Sequence, residues 1–286
     1  MDTTHQYILL DGGRRLGYGE YGDPHGRPLL YFHGFPSSRL EAAFCDTAAQ
    51  RLGIRIVSVD RPGYGLSDFE PHRRMSAWPD DVLQLTRSLG VERFAVIGVS
   101  GGGPYALACA WKMPEKLSAV KIVGGLAPLD QPETLRAMSW HTRLAFDLAK
   151  RSYILLWLTY GITVATMLRV CPQTVSAIHW LSGAPADRVT MGRSGVLALL
   201  LASIREGLRQ GVRGALWDAV LYSRDWGFPL DRITIPVELW QGGADRIVPP
   251  CHVQVLAGSL AHPVVKMLEG EGHYSLPIDH GEAILA

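Results

Sequence analysis

The chain has 286 residues, 47% of them hydrophobic and 19% charged, which is enough to bury a large core and too apolar for intrinsic disorder. Its formal net charge is +1 and it has no basic run, so neither nucleic acid nor an anionic membrane surface is an expected partner. Cys45, Cys109, Cys171 and Cys251 are scattered, without C-x-x-C or Cys/His spacing; this predicts free, mostly buried thiols in a reducing, cytoplasmic setting rather than a disulfide framework or a zinc site.

Met1 to Tyr21 has no basic start followed by an apolar run, so no secretory signal is expected. Tyr7–Leu10 and Arg15–Tyr21 read as a hairpin around Asp11-Gly12-Gly13. Leu29–Phe32 is a short apolar strand, Leu40–Leu52 a helix and Arg55–Val59 a strand. Asp81–Leu89 lies in a helix that Gly90 ends. Phe94–Val99 is a strand running into a glycine cluster, with the helix Pro104–Lys112 behind it and the strand Leu117–Val123 next. From about Leu129 to Phe228 only helical periodicities occur, and Pro229 closes them; strands return at Val237–Gln241 and Val264–Leu268. The predicted fold is α/β, a mostly parallel central sheet flanked by helices. Residues 1–128 and 229–286 form its core, and 129–228 an inserted all-helical lid over the carboxyl edge of the sheet. Tyr153–Leu168 in the lid is uncharged but shorter than the roughly 20 residues a spanning helix needs. It is expected to be buried or partner-facing, not membrane-inserted, and a homodimer is left open.

Gly98-Val99-Ser100-Gly101-Gly102 fits G-x-S-x-G at the junction of a strand and a helix. A serine on so sharp a turn needs small neighbours two positions to either side. Its hydroxyl then stands above the sheet, where the following helix points its amino terminus at developing negative charge. The alternative is a plain strand-to-helix turn whose serine caps the helix. A serine hydroxyl needs a base in contact, and the base needs a carboxylate. His273, in Glu269-Gly-Glu-Gly-His-Tyr-Ser, and Asp245, in Gln241-Gly-Gly-Ala-Asp-Arg, each follow a strand and supply them in the order Ser, Asp, His. Asp130, after the Leu117–Val123 strand, is the reserve acid. His33-Gly34-Phe35-Pro36 follows the Leu29–Phe32 strand. The backbone N–H groups of Phe35 and Gly101 are assigned to an oxyanion hole, since Pro36 has no N–H; His33 is expected to shape the loop rather than act as base.

HGFP at 33–36, DRPGYGLS at 60–67, GVSGGG at 98–103, GGADRIVP at 242–249 and GEGHYSL at 270–276 together resemble the α/β-hydrolase superfamily, and its lid-bearing serine esterase-like branch in particular. The resemblance covers residues 1–128 and 229–286, and implies that Asp60, Arg61 and Gly63 brace the loop beside the Ser100 turn. Relatives resembling epoxide hydrolases and haloalkane dehalogenases carry an aspartate where Ser100 stands, and proline iminopeptidases typically have HGGPG where this chain has HGFPSS. The last helix of the family would be short here.

These features imply cleavage of a carboxylic ester through an acyl-enzyme on Ser100, with no metal or organic cofactor. The same triad serves carbon–carbon, lactone or amide hydrolysis or perhydrolysis, and some receptors that resemble this superfamily bind ligands without turnover. Trp140, Trp157, Trp180, Trp217 and Trp226, with the apolar run Gly195–Ile204, make the lid apolar. The expected substrate is therefore a small-to-medium apolar ester or related acyl compound, not a long-chain triglyceride.

Overall fold

The computed structural model describes residues 3–163 and 182–286. Eight strands form one sheet: β1 Gln6–Leu9, β2 Arg15–Gly22, β3 Arg27–Phe32, β4 Ile54–Val59, β5 Phe94–Val99, β6 Leu117–Val123, β7 Val237–Gly242 and β8 Pro263–Leu268. Their order is β1-β2-β4-β3-β5-β6-β7-β8. The β1–β2 hairpin and its junction with β4 are antiparallel, and every later pairing is parallel. Strands β3 to β7 are mostly apolar and buried on both faces; Leu30, Phe32, Val57, Val96 and Val120 are buried on one side and Ile56 and Ile97 on the other.

Each expected strand forms within two residues of its reading. The segment expected as the helix Leu40–Leu52 instead begins as a 3-10 turn, Arg39–Cys45, and becomes an α-helix only over Asp46–Arg51. Three residues per turn set Arg39, Ala42 and Cys45 on one face, and all three are buried. The Arg39 guanidinium is held there by Asp60 Oδ2 at 2.8 Å and Glu206 Oε1 at 2.8 Å.

Between β6 and β7 the described residues hold helices and turns and no strand: Pro132–Ala137, Trp140–Arg151, Tyr153–Leu156 running into a wider turn over Trp157–Gly161, Pro185–Met191, Val196–Gly207 and Arg213–Tyr222. The uncharged run expected to be buried or partner-facing is only partly described. Leu156 is buried, while Ile154, Leu155, Trp157, Leu158 and Ile162 are exposed; residues 164–168, Cys171 and Trp180 lie outside the described residues. Among the described residues no helix is long and apolar enough to cross a membrane. Cys45 and Cys109 are buried free thiols and Cys251 is a half-buried one; burial and the nearby Glu41 push the Cys45 thiol up to about 12. The carboxyl end forms two short helices, Ser275–Asp279 and Gly281–Leu285, and buries Ile284 and Leu285.

The Arg213–Tyr222 helix meets the core backbone to backbone. A Cβ added to Gly214 would lie 2.5 Å from the Gly63 carbonyl oxygen. That approach brings Asp218, one turn further on, over the loop after β4. We predict that Gly214→Ala destabilises the protein by about 1–3 kcal/mol, because neither backbone can yield. Gly258→Ala, in the Cys251–Ser259 helix where an added Cβ meets nothing within 4 Å, should be neutral or slightly stabilising. Thermal unfolding of the two variants checks the contrast.

Candidate active site

Ser100 ends β5 at φ +51°, a left-handed conformation that costs a non-glycine residue about 1–3 kcal/mol. The turn is tight enough that a Cβ on Gly98 would lie 2.5 Å from the Gly102 carbonyl, and one on Gly102 would collide with the Phe32 carbonyl. This is why the positions two residues to either side of the serine carry no side chain. The turn continues as a 3-10 segment, Ser100–Gly102, into the Gly103–Lys112 helix.

The loops after β7 and β8 bring Asp245 and His273 to this turn. His273 Nε2 lies 3.0 Å from Ser100 Oγ, and His273 Nδ1 lies 2.7 Å from Asp245 Oδ2. The Ile247 and Val248 N–H groups donate to Asp245 Oδ1, both at 2.8 Å, which fixes the carboxylate. Burial works against a charged His273, but the charge and hydrogen bond of Asp245, with Asp187 and Glu41 further off, outweigh it and raise its pKa. Asp130 is exposed and is not brought to His273.

The Phe35 and Gly101 backbones are adjacent: a Cβ on Gly101 would lie 2.7 Å from Phe35 Cβ. The peptide carrying the Phe35 N–H has Gly34 O at its other end. That oxygen lies 2.8 Å from His33 Nδ1 and accepts from Arg61 Nη2 at 3.0 Å. In a trans peptide the C=O and N–H point opposite ways, so gripping the oxygen fixes the direction of the N–H. The Gly101 N–H belongs to the peptide of Ser100 O, which accepts from the Leu126 N–H at 3.3 Å. His33 is fully buried, and the Arg61 N–H donates to its Nε2 at 3.4 Å. Burial, reinforced by the Arg61 charge, pushes its pKa well down, so it shapes the loop as a neutral ring.

Two charged groups behind these loops carry no motif. Glu41 is buried and accepts from the Gly34 N–H at 3.0 Å and from the Tyr31 hydroxyl at 2.9 Å. Asp218 is fully buried and accepts from Arg61 Nε at 2.8 Å, Tyr64 OH at 2.9 Å, Tyr222 OH at 3.2 Å, and from Arg73 and Tyr105. Burial alone would raise the Asp218 carboxyl; Arg61, Arg73 and the Tyr105 hydroxyl overcome it and hold the group below the ordinary carboxylate range. Arg61 also donates to the His33 carbonyl, and the Tyr222 hydroxyl donates to Gly101 O at 2.8 Å. The sequence offered one clue: Asp218 is the only charge in the stretch Gly214–Tyr222, and Tyr222 stands one helical turn beyond it.

Two cavities meet at Ser100, sharing Phe35, Pro36 and Ile247. The larger, about 290 Å³, is walled by Met138, Phe146, Leu156, Leu216 and Ala219. The smaller, about 80 Å³, contains His273, Tyr274, Glu41, Leu200 and Ile204. None of the described lid tryptophans lines either cavity: Trp140 and Trp157 are exposed, Trp226 is buried elsewhere, and Trp217 Nε1 donates to the Arg73 carbonyl at 3.0 Å. Among the described residues no cluster of three or more His, Cys, Asp or Glu side chains could hold a metal ion.

Comparison with known proteins agrees with this architecture. The family described as the alpha/beta hydrolase fold is matched over residues 27–153. A proline iminopeptidase of Xylella fastidiosa is 33% identical over 129 residues, 42% of this chain and 39% of that protein. The bifunctional epoxide hydrolase 2 of Sus scrofa is 30% identical over 120 residues, 41% of this chain and 21% of that protein. The chain thus spans less than half the length of these curated relatives. Over the whole fold, an esterase structure from Exiguobacterium antarcticum superposes with a TM-score of 0.74 at 17% identity, covering 99% of this chain and 97% of that one. The chain is an α/β-hydrolase-fold protein.

Asp218→Asn would leave Arg61 and Arg73 facing each other in a dry interior without their counter-charge. We predict a loss of about 3–5 kcal/mol. Urea unfolding checks this, with the exposed Asp130→Asn expected to stay within about 0.5 kcal/mol of the parent.

Proposed function

We propose that the protein is a serine hydrolase that cleaves a carboxylic ester of an apolar acid and a small alcohol. The observation that carries this reading is the unbroken chain from Asp245 through His273 to Ser100, at 2.7 and 3.0 Å, opening onto an apolar cavity. Ser100 Oγ attacks the ester carbonyl while His273 Nε2 takes its proton. Asp245 keeps the other ring nitrogen protonated and stabilises the imidazolium, and the Phe35 and Gly101 N–H groups receive the oxyanion. His273 then returns the proton to the departing alkoxide, and water, deprotonated by the same ring, releases the acid.

We also infer how the substrate is divided between the two cavities. The leaving oxygen must lie within hydrogen-bond reach of His273, which lines the small cavity and not the large one. The alcohol therefore occupies the space of about 80 Å³ and the acyl chain that of about 290 Å³. We assign residues 129–228 the role of cap, since Met138, Phe146, Leu156, Leu216 and Ala219 supply the acyl walls. Reduced, buried Cys45 and Cys109 suit a cytoplasmic setting.

The test is kcat/KM over methyl esters of straight-chain acids from acetate to palmitate, and over methyl to bulky alkyl esters of one acid. Rates should rise through short and medium acyl chains and fall at the longest, and should fall as the alcohol grows. A profile still rising at palmitate, or lactones, amides or diketones turned over far faster than any ester, would replace this reading.

Ser100→Ala and His273→Ala should each lower kcat by on the order of 10⁶, and Asp245→Asn by about 10⁴. Asp130→Asn should change little. The base must be neutral to accept the serine proton and its pKa is raised, so kcat/KM should fall on the acid side with a midpoint above 6.5, the ordinary imidazole value. A pH profile of the wild type checks this.

A further inference from the structure

We propose that Asp187, on the Pro185–Met191 helix between β6 and β7, is the positioning residue for the base, its carboxylate fastening the loop that carries His273. The proposal rests on the reading of His273 as base.

Asp187 is fully buried. Its Oδ2 accepts from the His273 N–H at 3.1 Å and from its own helix start, Ala184 N–H, at 2.9 Å. Its Oδ1 accepts from the Tyr274 N–H at 2.7 Å and the Ser275 N–H at 2.9 Å. Three consecutive amides of the base loop thus converge on one carboxylate. Hydrogen bonds to an ionised acceptor are about twice as strong as neutral ones, and here both partners are shielded from water. The contact is close: a Cβ on Gly272 would collide with the Asp187 carboxylate, so the residue before His273 has no side chain.

A second tie lies one turn away on each element. Thr190 Oγ1 donates to Asp279 Oδ2 at 2.6 Å, and Arg193 donates to both Asp279 oxygens at 2.6 and 2.7 Å. The Pro185–Met191 helix therefore follows the Ser275–Asp279 helix rather than moving freely over it. Within the core the base loop also has shorter-range anchors, among them the Gly272 N–H to Ser275 Oγ at 2.8 Å and the Ala244 N–H to Glu271 O at 2.9 Å.

The carboxylate also sets the charge around the ring. Asp245 from the loop after β7, Asp187 from the helical segment and Glu41 from the turn after β3 all favour the imidazolium. His252, from the Cys251–Ser259 helix, has its own pKa pushed down to about 4 by burial and is neutral at pH 7. Removing the charge of Asp187 thus lowers the His273 pKa, and removing its oxygens frees the loop. The two effects separate by variant.

Asp187→Ala loses both. It should lower kcat by roughly 10–100-fold with KM within about threefold, the loss expected of a displaced catalytic group. Asp187→Asn keeps one acceptor oxygen but turns its NH2 towards two backbone N–H groups, so its kcat should fall between those of the wild type and Asp187→Ala. Its charge is gone, so the acid limb of kcat/KM and the His273 imidazole titration, followed by NMR, should both move down by about 0.5 pH unit, a threefold change in proton affinity. If both variants keep the wild-type kcat and imidazole titration, or if the whole loss falls on KM, the proposal is overturned. Should Asp187→Ala fail to fold, the Asp187→Asn titration decides alone. If the wild type turns over no ester but the titration still moves in Asp187→Asn, the ester reading falls and the positioning role stands.

Discussion

The Asp218 carboxylate is the interaction on which the rest of the site turns. It is buried with Arg61 and Arg73, and three tyrosine hydroxyls, from Tyr64, Tyr105 and Tyr222, complete its coordination. Burying such charges costs several kcal/mol per ion unless geometry and hydrogen bonds are nearly complete. Here Asp218 is fully engaged, with only Arg73 Nε of the two guanidinium groups left without a partner among the described residues, and the consequence is order. Arg61, fixed by Asp218, has N–H groups left for the His33 and Gly34 carbonyls, and the Gly34 carbonyl sets the direction of the Phe35 N–H. One helical turn beyond Asp218, Tyr222 reaches the Gly101 carbonyl. The same cluster that docks the Arg213–Tyr222 helix therefore holds the Gly34–Phe35 peptide and also bonds the turn that follows Ser100.

Asp187 acts on the opposite wall, and the two acids have much in common. Each lies on a helix between β6 and β7, each is fully buried, and each is spent on a loop of the core. A covering segment that merely excluded water would need only an apolar face. This one reaches the core through carboxylates, and electrostatic preorganisation of that kind works only when the segment is seated. The apolar contacts wall the larger cavity while the acids hold the loops beside it.

Much of this was legible in the sequence because local chemistry and tertiary position agree. The strands read correctly where apolar runs such as Phe94–Val99 and Leu117–Val123 are bounded by turns, and Ser100, Asp245 and His273 announce themselves by standing in glycine-rich loops at strand ends. Asp187 and Asp218 did not, because an acid in the first turn of a helix, or within one, has the same local signature on a surface as in a core. Their partners lie 86 and 157 residues away in sequence, at His273 and Arg61. The aromatic content of residues 129–228 marked an apolar segment without naming the residues that line the cavity. Tryptophan abundance signals apolar surface without saying which side it faces; Trp140 and Trp157 turn outward, and smaller Met138, Phe146 and Leu216 form the wall. The 3-10 turn at Arg39–Cys45 was hidden for a similar reason, since a three-residue repeat and a 3.6-residue repeat coincide over so short a span.

If Ser100 forms the proposed acyl-enzyme, the unequal cavities on either side of it bear on the second half of the catalytic cycle as well. Once the alcohol has left, the space beside His273 is empty while the acyl chain still fills the other side. On that reading, whatever enters next is activated by the same ring nitrogen in the space of about 80 Å³ bordered by Leu200 and Ile204. Water, the most compact acceptor, is favoured there over a bulky alcohol or amine, so the small cavity would bias the intermediate towards hydrolysis rather than transfer to a large acceptor.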